Sequence, residues 1–186
     1  VQEAATLYLV CHTRDPLLSN IHLRRAISLA IDREAVAMQA RHSSTAADGL
    51  IPPAIQGGDY RTAAGEMFSK SGDVEAALKA LHAARAELGE IPPLKILCGH
   101  EPASMCEAEA VAHCLQSKLG LRIEIEGEGI TERFTRVKDG QYQLAMLAWR
   151  ADYDDPLSFL AEHVSDGAAG NQSHWSHPEY NRLIRE

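Results

Sequence analysis

Positive charge and long apolar runs are both scarce in this chain, and each shortage removes a class of function. Lys and Arg number 18 against 26 Asp and Glu, a formal net charge of -8 over 186 residues. No stretch is basic enough to neutralise a phosphate backbone, so nucleic acid is not an expected partner. No apolar run approaches the ~20 residues that cross a bilayer, and the opening Val1-Gln2-Glu3-Ala4-Ala5 lacks the charged and apolar regions of a signal peptide. Four cysteines, Cys11, Cys98, Cys106 and Cys114, fit neither a paired CxxC zinc pattern nor a dense disulfide framework. The alternative of soft metal ligands at Cys98, His100, Cys106, His113 and Cys114 is set against small buried hydrophobes at Cys98 and Cys114. GxGxxG after a strand, GxxxxGK[ST], GxSxG and HExxH are all missing, so no nucleotide, hydrolase or zincin signature is present and no cofactor is expected.

What remains is an ordinary globular composition, 45% hydrophobic and 24% charged, of a length that suits one domain with one good core. The start at Val1 without methionine, and the stop at Glu186 inside a helical pattern, are what an excised piece would show. Thr6 to Val10 reads as a strand broken by Asp15-Pro16. Ser19 or Asn20 can cap a helix whose apolar stripe, Ile21, Leu23, Ala26, Ile27, Ala30 and Ile31, continues to about Met38. From Arg41 to Gly72, Pro52-Pro53 and Gly57-Gly58 with little periodicity predict a long surface connection. Asp73 then caps a helix that Gly89 and Pro92-Pro93 end. Leu94 to Cys98 follows as strand, and Ser104-Met105-Cys106-Glu107 has the form of a capping box for a helix to Gly120. Leu121 to Ile125 is strand, Thr131 to Val137 helix, and Gln143 to Trp149 a buried strand. The alternation αβαβαβ after residue 73 predicts an α/β fold with a mainly parallel sheet and helices on both faces.

The densest chemistry is Leu147-Ala148-Trp149-Arg150-Ala151-Asp152-Tyr153-Asp154-Asp155-Pro156, where an apolar strand runs into three carboxylates. Strand C-termini of open α/β sheets are where ligands bind. Asp155 with Pro156 fits the start of a helix through Leu157, Phe159 and Leu160; Asp152 has no such structural duty. A hydrolytic use of Asp152, Asp154 and Asp155 lacks a nucleophile and base pair.

This segment resembles the extracytoplasmic solute-binding proteins of ABC peptide transporters, the family of oligopeptide-, dipeptide- and nickel-binding receptors. Three further blocks, in family order, carry the same resemblance: Asn20 to Glu34 with its Arg-x-Ala and Asp-Arg positions, Gly49-Leu50-Ile51-Pro52-Pro53, and Asn171 to Ile184. The resemblance implies a type II periplasmic-binding-protein-like lobe, residues 1-186 being the C-terminal, second lobe of a two-lobe clamshell whose first lobe is absent. It further implies an extracytoplasmic protein, periplasmic or on the cell surface, with an oligopeptide or dipeptide ligand, the first lobe and a membrane permease as partners, and no enzymatic activity. The alternative is the sensor domain of a transcription regulator built on the same fold. By the same resemblance Asp152 receives the ligand α-ammonium, and Ala148 and Arg150 pair with its backbone. Trp149 reads equally as core or as pocket wall, and Tyr153 completes the Trp-x-Ala-Asp-Tyr pattern. Met146 stands where some relatives carry a basic residue for the ligand carboxylate, a departure that bears on ligand length and chemistry. His174 and Trp175 are read as ligand-side or loop-fixing residues, and Arg24, Arg25, Asp32 and Arg33 as helix-surface charges.

Overall fold

A computed structural model describes residues 4-39, 44-163 and 170-186. Four strands form one sheet in the order β1-β4-β2-β3. β1 is Ala5–Cys11, β2 Leu94–Gly99, β3 Ile123–Glu128 and β4 Leu144–Arg150. β2 runs parallel to both β3 and β4, while β1 joins β4 antiparallel from Ala5↔Arg150 to Cys11↔Leu144. The mainly parallel expectation therefore holds for β2, β3 and β4, and β1 adds one antiparallel edge.

The helices are α1 (Ile21–Ala30), α2 (Arg33–Gln39), α3 (Asp59–Ala64), α4 (Val74–Leu88), α5 (Pro102–Leu119), α6 (Ile130–Lys138), α7 (Leu157–Leu160) and α8 (Pro178–Arg185). One face of the sheet, with Ile96, Cys98, Leu144 and Met146, is covered by Leu23 and Ile27 of α1, Leu81 of α4 and Val111 and Leu115 of α5. The other face, with Val10, Leu97, Ala145 and Leu147, is covered by Val137 of α6 and by Tyr142. The alternation of side chains along β4 feeds both cores, as period-two geometry requires.

Local capping explains most helix starts. Asn20 accepts from the Leu23 N–H and Asp73 from the Ala76 N–H, as the sequence predicts. Four expectations are corrected. The first helix does not run unbroken to Met38: Ile31 is extended, and Asp32 Oδ1 accepts from the Ala35 N–H at 2.9 Å to start α2. Ile31 stays buried through the break, which is why the apolar stripe hides it. The Ser104 capping box does not form either. α5 starts two residues earlier at Pro102, and the Ser104 hydroxyl accepts from the Gly99 N–H at 3.1 Å. The 41-72 connection holds a short 3-10 turn, Ile55–Gly58, and α3, which begins after Gly58 in a left-handed conformation at φ 93°. β3 lies two residues later than its alternating pattern suggests.

Candidate functional site

The chain leaves β2 for β3 through α5 on one face and leaves β3 for β4 through α6 on the other. β2 and β4 are neighbours, so the connections diverge between them, and in open α/β sheets the carboxyl ends of strands at such a reversal are where ligands bind. The carboxyl end of β4 is the segment the sequence singles out.

Main-chain directions along β4 follow from its ladder with β1. The bonds from His12 N to Gln143 O, 2.9 Å, and from Ala151 N to Ala4 O, 2.8 Å, bracket the strand. In an antiparallel pair hydrogen-bonded and non-bonded positions alternate, so the odd-numbered residues of β4 face β1. The even-numbered ones turn their N–H and C=O the other way: Leu144 and Met146 towards β2, Ala148 and Arg150 beyond it. Pairing with β2 reaches only Leu97↔Ala145. It ends there because the Gly99 N–H is taken by Ser104 Oγ rather than by β4. Among the described residues no strand pairs with β4 beyond Ala145 on the β2 side, and Ala148 and Arg150 are both exposed.

The turn after β4 is built around Ser158, which is buried. Its hydroxyl accepts from the Asp152 N–H at 2.8 Å and its carbonyl from Trp149 Nε1 at 2.7 Å. The indole, half-buried, packs on the cluster of Ile51, Ile55 and Phe159. Of the three carboxylates, two are taken up by hydrogen bonds within the fold. Asp154 Oδ1 accepts from the Gln56 N–H at 2.6 Å, and Asp155 accepts from the Leu157 N–H at 2.8 Å and from Gln56 Nε2 at 3.2 Å. Asp152 is exposed, and among the described residues its carboxylate has no hydrogen-bond or ion-pair partner. It is close enough to Glu162 that, after burial, its charge is the next cause raising the Glu162 carboxyl above the ordinary range.

The remaining sequence-predicted residues fall as follows. Tyr153 is exposed, next to Asp152. The Met146 side chain, expected at the ligand, is instead in the core against α1, α4 and α5. Cys98 and Cys114 are buried, and burial pushes the Cys98 thiol up to about 11, an unreactive state. Asn171 is buried; its Nδ2 donates to Trp175 O at 2.6 Å and its Oδ1 accepts from Ser173 Oγ, which makes the following loop a fixed structure. Arg24 donates to the carbonyls of Leu18 and Ser19, and Arg33 to those of Ser28, Ile31 and Ser69. Ser158 and Gln56 are the residues that sequence reasoning misses. Gln56 lies 98 positions from Asp154, and nothing local marks the pairing.

Residues 1-171 match the family model for bacterial extracellular solute-binding proteins, family 5, middle part. The chain belongs to that family. Its members are solute-binding proteins rather than a class of enzymes. The oligopeptide-binding protein OppA of Bacillus subtilis is 23% identical over 175 residues, 91% of this chain and 32% of the relative. The periplasmic oligopeptide-binding protein OppA of Salmonella typhimurium is 24% identical over 182 residues, 97% of this chain and 33% of the relative. The chain thus spans about a third of the length of these curated relatives. Among solved structures, Listeria monocytogenes OppA bound to peptide superposes with a TM-score of 0.90 at 24% identity, over all of this chain and 38% of that one. A peptide ABC transporter peptide-binding protein gives a TM-score of 0.88 at 27% identity, over 98% of this chain and 83% of that one. The periplasmic-binding-protein-like fold expected from the sequence is the fold these comparisons share.

Proposed function

We propose that residues 1-186 are the ligand-binding second lobe of an ABC-transporter substrate-binding protein that captures oligopeptides outside the cytoplasm, in the periplasm or at the cell surface, and passes them to a membrane permease. The observation that carries this reading is the open edge of β4, which ends at an exposed carboxylate with no partner among the described residues. An extended peptide laid along Ala148 and Arg150 exchanges main-chain hydrogen bonds with them, and these are indifferent to ligand side chains. Asp152 sits where the strand ends and offers a charge to the peptide α-ammonium. Trp149 and Tyr153 flank that point, the first held by Ser158 and the second exposed. The lobe binds and releases without chemistry of its own. Asp154 and Asp155, the other carboxylates a hydrolytic site would need, are occupied by Gln56 and the α7 start. The first lobe supplies the opposing wall. The regulator alternative has no support in the relatives named above.

The test is a double cycle in the full-length receptor, crossing Asp152→Asn with N-acetylation of the peptide and read by calorimetry. A charge-assisted hydrogen bond contributes about 1.5 to 3 kcal/mol, so free peptides should lose roughly 10- to 150-fold in affinity while acetylated ones change little. Equal losses for both kinds of peptide would remove Asp152 from the site. The same titration on the isolated chain should give weak or undetectable binding, because one wall cannot desolvate a peptide. Equal affinity for lobe and receptor would overturn the two-lobe reading.

A further inference from the structure

β2 and a peptide held on β4 occupy the same lane of the sheet. β2 runs beside β4 as far as Leu97↔Ala145 and ends at Gly99, which the parallel register sets level with Leu147. A peptide on Ala148 and Arg150 continues that lane beyond Gly99. By alternation Gly99 belongs to the face of Leu97, Ala145 and Leu147, the face that α6 covers. A Cβ on Gly99 would lie 3.1 Å from Arg133 NH1, so this α6 guanidinium stands on that face at the end of the lane. Arg133 is half-buried and, among the described residues, has no hydrogen bond or ion pair. Its Nε is sealed from solvent, but NH1 and NH2 are not. The group rests 5.4 Å from the ring of Phe134, and Glu101 Oε2 reaches the same side of Gly99 without coming within ion-pair distance of it.

Ladder geometry then fixes which part of a ligand meets this donor. With the α-ammonium at Asp152 the peptide runs antiparallel to β4, and its first and third residues exchange main-chain bonds with Arg150 and Ala148. The second residue is opposite Trp149. Opposed residues share a face, so the second side chain projects on the α6 side, two strand residues, about 7 Å, along the lane from Gly99. The third projects on the other face. A carboxyl terminus leaves in the plane of the sheet, whereas Arg133 stands out of that plane, so the group it meets is a side chain. A charged donor gains most from a charged acceptor. On the peptide reading above, on which this assignment rests, we propose that Arg133 gives the receptor a preference for peptides whose second residue is acidic, glutamate in particular. The carboxylate accepts from NH1 and NH2, and its stem lies against Trp149 across the strand. Glu101 competes for the same guanidinium and limits the preference.

The test is calorimetry on the full-length receptor with Ala-Glu-Ala against Ala-Gln-Ala, each as free acid and as C-terminal amide. The glutamate peptide should bind about 10-fold more tightly in both terminal forms. The same exchange at the third residue, Ala-Ala-Glu against Ala-Ala-Gln, should change little. Arg133→Gln should bring the first pair within about 2-fold while Ala-Gln-Ala keeps its affinity, and comparing two peptides on one protein cancels any loss of folded receptor. Glu101→Gln, at an exposed position, should widen the gap by removing the competing carboxylate. Equal affinity for the first pair, a gap that survives Arg133→Gln, a gap that narrows in Glu101→Gln, a gap confined to the free acids, or an equal gap at the third residue would each overturn the assignment and leave peptide capture standing. Failure of every peptide to bind would overturn peptide capture itself, and this preference with it.

Discussion

The two halves of β4 share one strand and live under different rules. From Leu144 to Leu147 the strand is paired with β1, reaches β2 and is buried on both faces. From Ala148 to Arg150 its strand pairing among the described residues is with β1, and its even positions are exposed. The first half is a hydrophobic anchor, where dispersion and burial set the contribution of each side chain. The second half has traded a strand neighbour for an accessible edge, held straight by the first half and by the Ser158 turn. An unpaired edge next to a core strand is ordinarily a liability for aggregation. In this chain the exposed stretch is short and carries Arg150 and Asp152, which discourages pairing with another copy.

The largest expected effect separates these halves by stability. Leu144→Ala removes a fully buried side chain from the core and should cost about 2 to 5 kcal/mol in denaturant unfolding. Ala148→Ser, on the exposed edge, should stay within about 0.5 kcal/mol. Comparable losses at the two positions would mean that the edge is covered and the comparison fails.

Next in size is the turn that joins strand to anchor. Ser158→Ala leaves the Asp152 N–H without its acceptor, at a cost of about 1 to 3 kcal/mol. The same change should weaken peptide capture by the full-length receptor while Trp149 keeps its bond to the Ser158 carbonyl. Asp154→Asn offers a control in the same loop: it loosens the link to Gln56 and should lower stability without altering the discrimination between free and acetylated peptides. A loss of that discrimination in Asp154→Asn would transfer the anchor role away from Asp152.

What could be read from the sequence divides along similar lines. The βαβ alternation after Asp73 was legible because buried strands and amphipathic helices impose their own periods. Asp152 was legible as the odd carboxylate, since Asp155 had an evident capping role. The duty of Asp154 was not, because its partner Gln56 is brought close only by the tertiary fold. Ser104 shows the opposite hazard: a local pattern that matched a capping box was outcompeted by the free Gly99 N–H across the strand-to-helix turn. The antiparallel placement of β1 is likewise a contact between residues about 140 positions apart in the chain, as in Ala5↔Arg150, and no local period encodes it. Met146 stood out by sequence as a departure from a basic position, yet burial accounts for its apolar side chain.

The smallest expected effect is electrostatic and sharpens the comparison at the open end of β4. The Glu162 carboxyl is raised above its ordinary value, first by burial and then by the charge of Asp152. A carboxyl whose pKa is higher in the folded chain than in the unfolded one opposes folding once it ionises. Its contribution is fully present below the ordinary carboxylate pKa and is lost as pH rises through the raised value. Glu162→Gln should therefore match the parent chain in stability at low pH and gain on it as pH passes through that window. In Asp152→Asn the like charge is gone, so the Glu162 midpoint, followed by NMR titration, should move down but stay above the ordinary value because burial persists. An α-ammonium bound at Asp152 acts in the same direction, so peptide addition to the full-length receptor should also lower that midpoint, and an N-acetylated peptide should not. If Asp152→Asn leaves the Glu162 midpoint where it was, the two carboxylates do not share a field, and a peptide ammonium at Asp152 should not be felt at Glu162.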